Sequence, residues 1–264
     1  MEELHFSQVL KNASIDKRKE YDRLYWMFYL CQIEGYGQKT TLREYFARDF
    51  IRIPFRGTCI SLEDFDDTYG IHFEKEPQKD TDLISLCEYS YNLAKYYLEP
   101  GSMGCNIQLY IRQVERVIEA IGYMANEQDG ITDFVPKDQT AIAVAEIVDP
   151  SLSYKVLEYN HHSMKGDLER KRTILLALAD RLEPRRSELK NIDKTLESNL
   201  FFLLNRMNIR HNNVETDGKF VSNMNNEELE NWYDETYQVC LLAFLELDNV
   251  ERNVRIKELK EKNK

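Results

Sequence analysis

Glycine and proline are scarce, with ten and six in 264 residues. That is about half of what an average usage of ~12% for the two together would give. Such a chain has few places to interrupt an element, so long helices are expected. Apolar runs are short as well. Leu24–Ile33 and Thr236–Leu245 reach only ten residues, against the ~20 a membrane helix needs. The first residues, Met1-Glu2-Glu3-Leu4-His5-Phe6, are acidic and lack the basic-then-apolar layout of a signal peptide. A cytoplasmic location without membrane contact is therefore expected. Cysteine is too sparse for a disulfide scaffold. Cys31, Cys59, Cys87, Cys105 and Cys240 are odd in number and form no Cys-x-x-Cys pair, so reduced thiols are expected. Among His5, His72, His161, His162 and His211, only His161-His162 sit close together, which is poor spacing for zinc. There is no Gly-rich phosphate loop, no Gly-x-Ser-x-Gly elbow and no His-Glu-x-x-His.

What is present is a globular composition. Hydrophobic residues make up 42% and support a core, while charged residues reach 31%, above the ~25% of ordinary soluble domains. The net charge of −11 and pI of about 5.1 exclude a general attraction to phosphate backbones or anionic lipid. A nucleic-acid site would have to be a local basic patch.

Helical signals dominate the chain. Ser14 can cap a helix reaching Ile33. Thr41 with Glu44, and Asn225 with Glu228, have capping-box spacing, in which side chain and backbone amide bond reciprocally at a helix start. Ser61 begins a further helical turn, and Asp80–Tyr97 reads as a helix. Over Ile107–Met124, Ile107, Tyr110, Ile111, Val114, Val117, Ile118 and Ile121 recur at spacings of three and four, which predicts one buried stripe. Helices are also expected over Gln139–Val148, over Asp167–Leu182 and over Leu189–Asn208. The last opens inward through Leu196, Leu200, Leu203, Leu204 and Met207. A final long helix follows Asn225. Phe50–Gly57 alternates around Pro54 and reads as a short irregular or extended segment. The fold class is thus all-α: an N-terminal helical region, residues 1–100, and a C-terminal helical bundle, residues 101–264. The turn cluster Glu99-Pro100-Gly101-Ser102 marks the division.

One segment carries chemistry. Asn205-Arg206-Met207-Asn208-Ile209-Arg210-His211-Asn212-Asn213 follows the apolar run Leu200–Leu204. On a continuous helix, Asn205, Asn208 and Asn212 share a face, and Arg206 and Arg210 lie one turn apart on a neighbouring one. Arginine stabilises charge on a phosphate, histidine exchanges a proton near neutral pH, and asparagine orients both. The same residues also suit a solvated helix end, where arginine and histidine satisfy last-turn carbonyls.

Arg206 and His211 form Arg-x-x-x-x-His at a helix end. This resembles the motif of the HEPN superfamily, and the wider run Leu200–Asn213 is similar to its bacterial abortive-infection variant. The resemblance covers the C-terminal half, from Ile107 onward. It implies a helical homodimer in which two copies of the motif meet in a cleft, acting as an endoribonuclease of a toxin or phage-defence system without metal or other cofactor. Arg206 would hold the scissile phosphate. His211 would move the proton of the attacking 2′-hydroxyl or of the leaving oxygen, giving a cyclic phosphate end. Asn205 and Asn208 would position these groups, with Arg210 and Asn212 also at the substrate. The implied partners are RNA, a second copy of the chain and a cognate antitoxin. The family also includes inactive members that serve as binding modules for RNA, a nucleotide or a protein.

Local charge bears on this. From Lys165 to Arg210 there are eleven Lys/Arg and seven Asp/Glu, whereas Asp217–Asp248 holds eight acids and one lysine. A basic face or charge pairing between adjacent helices would both produce that pattern. A second candidate is Tyr159–Asp167, where Lys165 and backbone amides at a helix start could take an anion, or where Gly166 and Asp167 simply form a turn and a cap. The tyrosines Tyr89, Tyr91, Tyr96 and Tyr97 on one predicted helix could stack on bases or fill a core.

Overall fold

The computed structural model describes residues 15–35, 38–97, 104–210 and 221–262. Among the described residues the protein is mostly α-helical, with two small two-stranded sheets. It divides into two compact units, residues 1–134 and 135–264. The division expected near residue 100 falls among residues outside those described, and the helix that starts just after it packs within the first unit.

The first unit begins with α1 (Lys17–Tyr25), which continues as a π-helical turn over Trp26–Leu30. Asp16 caps it by accepting the Arg18 and Lys19 amides. The expected cap Ser14 lies outside the described residues. β1 (Ile33–Gly35) pairs antiparallel with β2 (Gln38–Thr40), with Ile33 opposite Thr40. Next come α2 (Leu42–Arg48), α3 (Leu62–Tyr69), α4 (Asp82–Tyr96) and α5 (Gly104–Ala120). The core gathers Tyr21, Leu24, Phe28, Phe46, Leu86, Cys87, Tyr110 and Val114 from α1, α2, α4 and α5.

At the start of α2, the Thr41 hydroxyl accepts the Glu44 amide at 3.2 Å, and a Glu44 oxygen accepts the Thr41 amide at 2.8 Å. The capping box is therefore formed as the spacing predicts. Thr41→Ala should cost about 1 kcal/mol, read as a lowered midpoint in urea unfolding. An unchanged midpoint would mean that packing alone fixes the start of α2.

Phe50–Gly57 is not extended. It forms two 3₁₀ turns, Phe50–Arg52 and Pro54–Arg56. Pro54 opens the second turn, where its missing N–H costs nothing, and the Arg56 guanidinium binds the carbonyls of Ile51 and Cys59. Likewise Ile107–Met124 is helical only to Ala120. It is followed by a hairpin of β3 (Tyr123–Gln128) and β4 (Ile131–Pro136). Its turn, Asp129-Gly130, has positive φ at both residues, 53° and 81°. Asp-Gly is the pair that a two-residue hairpin favours, so the signal was present in the sequence. Tyr89, Tyr91 and Tyr96 of α4, and Tyr97 just after it, all bond within the first unit. Tyr97 stacks on Phe46 at 4.9 Å and donates to its carbonyl, Tyr96 donates to the Arg52 carbonyl, Tyr91 to Glu115 and Tyr89 to Asp66.

The second unit comprises α6 (Gln139–Ala145), α7 (Pro150–Glu158), α8 (Leu168–Leu182), α9 (Arg186–Ile192), α10 (Lys194–Arg206) and α11 (Asn226–Lys262). Leu175, Leu178 and Leu182 of α8, Leu200 and Leu204 of α10, and Tyr237, Cys240, Leu241 and Phe244 of α11 form one core. The capping box of Asn225 with Glu228 is present at the start of α11. The expected helix Leu189–Asn208 is two helices. Asp193 ends α9 in an extended conformation and opens α10 by accepting the Thr195 and Leu196 amides. The Arg186 guanidinium lies 4.3 Å from the Phe201 ring and bonds buried Glu197 at 2.6 Å, fixing the angle between them.

Candidate functional site

The Arg-x-x-x-x-His segment starts at the C-terminus of α10. The helix ends at Arg206, two residues earlier than the apolar pattern predicts. Asn208 has φ 55°, the left-handed conformation that commonly terminates helices and that asparagine tolerates better than most residues. Met207 and Ile209 on either side are buried at 2% and 0% exposure. The Arg210 N–H donates back to the Leu204 carbonyl at 3.2 Å. The turn is thus clamped from both ends by apolar anchors.

This geometry changes the expected faces. Arg206 is exposed on the last helical turn, while Asn205 is half-buried. Arg210 is not one turn further along the same helix. It lies beyond the left-handed corner, and its guanidinium pairs with Glu183 at 2.5 Å. Asn208 likewise leaves the shared face with Asn205, and its side-chain oxygen is buried without a hydrogen-bond partner. His211 and Asn212 lie outside the described residues.

Sequence reading missed Arg172. It projects from α8, and its Nε donates to the Asn208 carbonyl at 2.5 Å. Among the described residues no carboxylate pairs with it. A cation there also complements the partial negative charge at the end of α10. Arg172 stands 34 positions from Arg206, so no local spacing could have connected them. The result is a turn served by three guanidiniums, of which Arg206 is the exposed one.

The surrounding cations are largely spent on neighbouring helices. Arg170 pairs with Glu158, Arg181 with Asp149, Arg185 with Glu188 and Glu251, and Arg186 with Glu197. The excess of positive charge between Lys165 and Arg210 is therefore mostly charge pairing.

The second segment is a 3₁₀ turn, His162–Met164, leading to α8. Its structure is that of a turn and a cap. Gly166 has φ 80°, and Asp167 accepts the Arg170 amide. The Gly166 N–H donates to Glu230 at 2.8 Å, so that amide is not open to an anion. Lys165 is exposed. His161 Nδ1 lies 2.7 Å from the Ser163 hydroxyl. Behind this loop sits Lys171, only 5% exposed, with Nζ 2.7 Å from both Glu230 and Asp234. Asp234 also accepts the Tyr159 hydroxyl at 2.9 Å, and the Tyr159 ring stacks on Tyr237 at 4.0 Å. Burial raises the Glu230 carboxyl pKa, but the Gly166 amide and Lys171 outweigh it and hold the group below the usual carboxylate range. Burial beside Asp234 pushes the Tyr159 hydroxyl well above its ordinary value. The cluster is a lock between the loop and α11 rather than a reactive centre. Neither Glu230 nor Tyr159 is poised to exchange a proton near neutrality.

No family model, no curated protein and no solved structure matches the chain. Among the described residues no helix is long and apolar enough to cross a membrane.

Proposed function

We propose that the second unit is a metal-independent endoribonuclease of the bacterial toxin or phage-defence kind, working through Arg206 and His211. One observation carries this reading: Arg206 is exposed on a helix end whose position is fixed by buried Met207 and Ile209. A guanidinium on a rigid support can hold a phosphate without reorganising when charge develops on it. Arg172 adds positive potential at the same turn. His211, five residues on, supplies the proton transfer: it takes the proton of a 2′-hydroxyl as that oxygen attacks the adjacent phosphorus. The P–O5′ bond breaks, the leaving O5′ takes a proton from water, and the products are a 2′,3′-cyclic phosphate and a 5′-hydroxyl. On this reading the site is completed in a homodimer, the chain acts in the cytoplasm, and a cognate antitoxin restrains it.

A second reading has its own support. Arg210 is engaged by Glu183, and Arg172 by a backbone carbonyl, which is how guanidiniums close a helix end. The unit would then be a non-catalytic helical module that binds RNA, a nucleotide or a protein. Incubating the purified chain with total RNA in chelator separates the two. Cleavage to cyclic-phosphate ends supports the nuclease; intact RNA at micromolar protein supports the module.

A further inference from the structure

The first unit contains an open cleft of about 470 Å³ that the nuclease reading leaves unused. One wall is the face of α4 carrying Asp82, Ser85 and Tyr89, spaced three and four residues apart. Phe65 of α3, the segment Gly70–Phe73, and Glu88, Asn92 and Ile131 also line it. Its aromatic rings come in pairs: Phe73 lies 5.5 Å from Tyr89, and Phe65 lies 6.3 Å from Phe55. A cleft of this size, in which aromatic rings alternate with convergent polar groups, has the make-up of a small-molecule site.

Its electrostatics select the ligand. Two carboxylates line it, Asp82 and Glu88, the latter also accepting the Phe134 amide at 2.8 Å. One Asp82 oxygen accepts the amides of Gln78 and Lys79 at 2.6 and 2.8 Å, which leaves its other oxygen without a partner among the described residues. The Ser85 hydroxyl likewise has none. Ring faces carry partial negative charge and attract cations, more strongly when these are desolvated. The net charge of −11 adds a long-range attraction for positive ligands. Lys79 opposes this, exposed at the cleft and without an ion-pair partner among the described residues, and the basic ring of His72 also lines the wall.

We propose that this cleft binds a small organic cation, an alkylammonium compound of the polyamine class. Its methylene chain lies on the Phe65, Phe73 and Tyr89 rings, and one ammonium group donates to Asp82 and Ser85. The inference is independent of the nuclease reading, because its residues belong to the first unit and its readout is binding. The test is calorimetric titration of the full chain with spermidine at constant ionic strength. Magnesium chloride and adenosine monophosphate are the comparison titrants. One saturable site is expected. Phe73→Leu and Asp82→Asn should each weaken it about tenfold while circular dichroism confirms folding. Lys79→Ala should tighten it about threefold, because it removes a like charge. Equal competition by magnesium would reduce the cleft to a counter-ion atmosphere and overturn the proposal. So would tight binding of the nucleotide that is lost in Lys79→Ala, since that identifies an anion site. No heat with spermidine overturns it as well.

Discussion

His211→Ala should lower RNA cleavage by a factor of about 10²–10⁴, the range that positioned acid–base catalysis supplies, measured on protein whose circular dichroism matches the wild type. Arg206→Ala should lose about 10²–10³, as expected for a group that stabilises developing charge. Arg206→Lys should recover only part of that, because an ammonium keeps the charge but not the planar pair of donors. The pH profile of the wild type adds a second readout. If one imidazole accepts the 2′-hydroxyl proton, the rate should rise with pH through about 6.5, the ordinary histidine value, and His211→Ala should flatten that limb. Cleavage that survives both substitutions would remove the site from this turn. The structure bears on the arginine half of the experiment. Arg206 is exposed, and its neighbours Met207 and Ile209 are the buried ones, so its replacement leaves the core untouched.

Lys171→Met should be among the most damaging single changes to stability in the second unit. The lysine is buried between Glu230 and Asp234. Removing the buried ammonium leaves partly buried Glu230 uncompensated, while half-exposed Asp234 turns to water, so the cost is about 3 kcal/mol, the low end for breaking a buried pair. In a chain of this size that is a fall of roughly 6–12 °C in Tm. Part of the loss should return in the double variant Lys171→Met with Glu230→Gln, which removes one orphaned charge. The effect also depends on pH. The folded-state pKa of Glu230 lies below its usual value because the Gly166 amide and Lys171 overcome the effect of burial. Its stabilising contribution is therefore complete above the unfolded pKa of about 4.3 and disappears as pH falls through the folded value. Without Lys171, one of the two main groups that hold this pKa down is gone, so acid unfolding should begin at higher pH. An unaltered Tm in thermal denaturation would show that the cluster is solvated enough to contribute little.

The helical class was legible from periodicity and from the shortage of glycine and proline, and the capping boxes at Thr41 and Asn225 formed as their spacing predicts. Ends and corners were harder. The apolar stripe of α10 runs on through Met207 and Ile209, but these residues are buried from a left-handed turn, not from a helix, and periodicity cannot tell the two apart. Asp193 sits inside a continuous helical pattern and reads as an ordinary polar position unless its capping of Thr195 and Leu196 is known. Around the candidate site, local sequence identifies Arg206. It could not indicate that Arg210 is paired with Glu183 or that Arg172 arrives from α8, because both contacts depend on how separate helices pack.

The joint at Asp193 also limits how the sequence can vary. One residue both ends α9 and starts α10, so the corner has no slack to absorb a change in length. Each residue gained or lost there turns α10 by about 100° about its axis. A deletion would carry Leu200 to the exposed place of Asn199, and an insertion would carry Leu204 to the half-buried place of Asn205 and Arg206 toward that of buried Met207. Insertions and deletions should therefore be excluded at this corner even though it lies at the surface, and the direction in which Arg206 points is set thirteen residues before it, by a carboxylate that never approaches it.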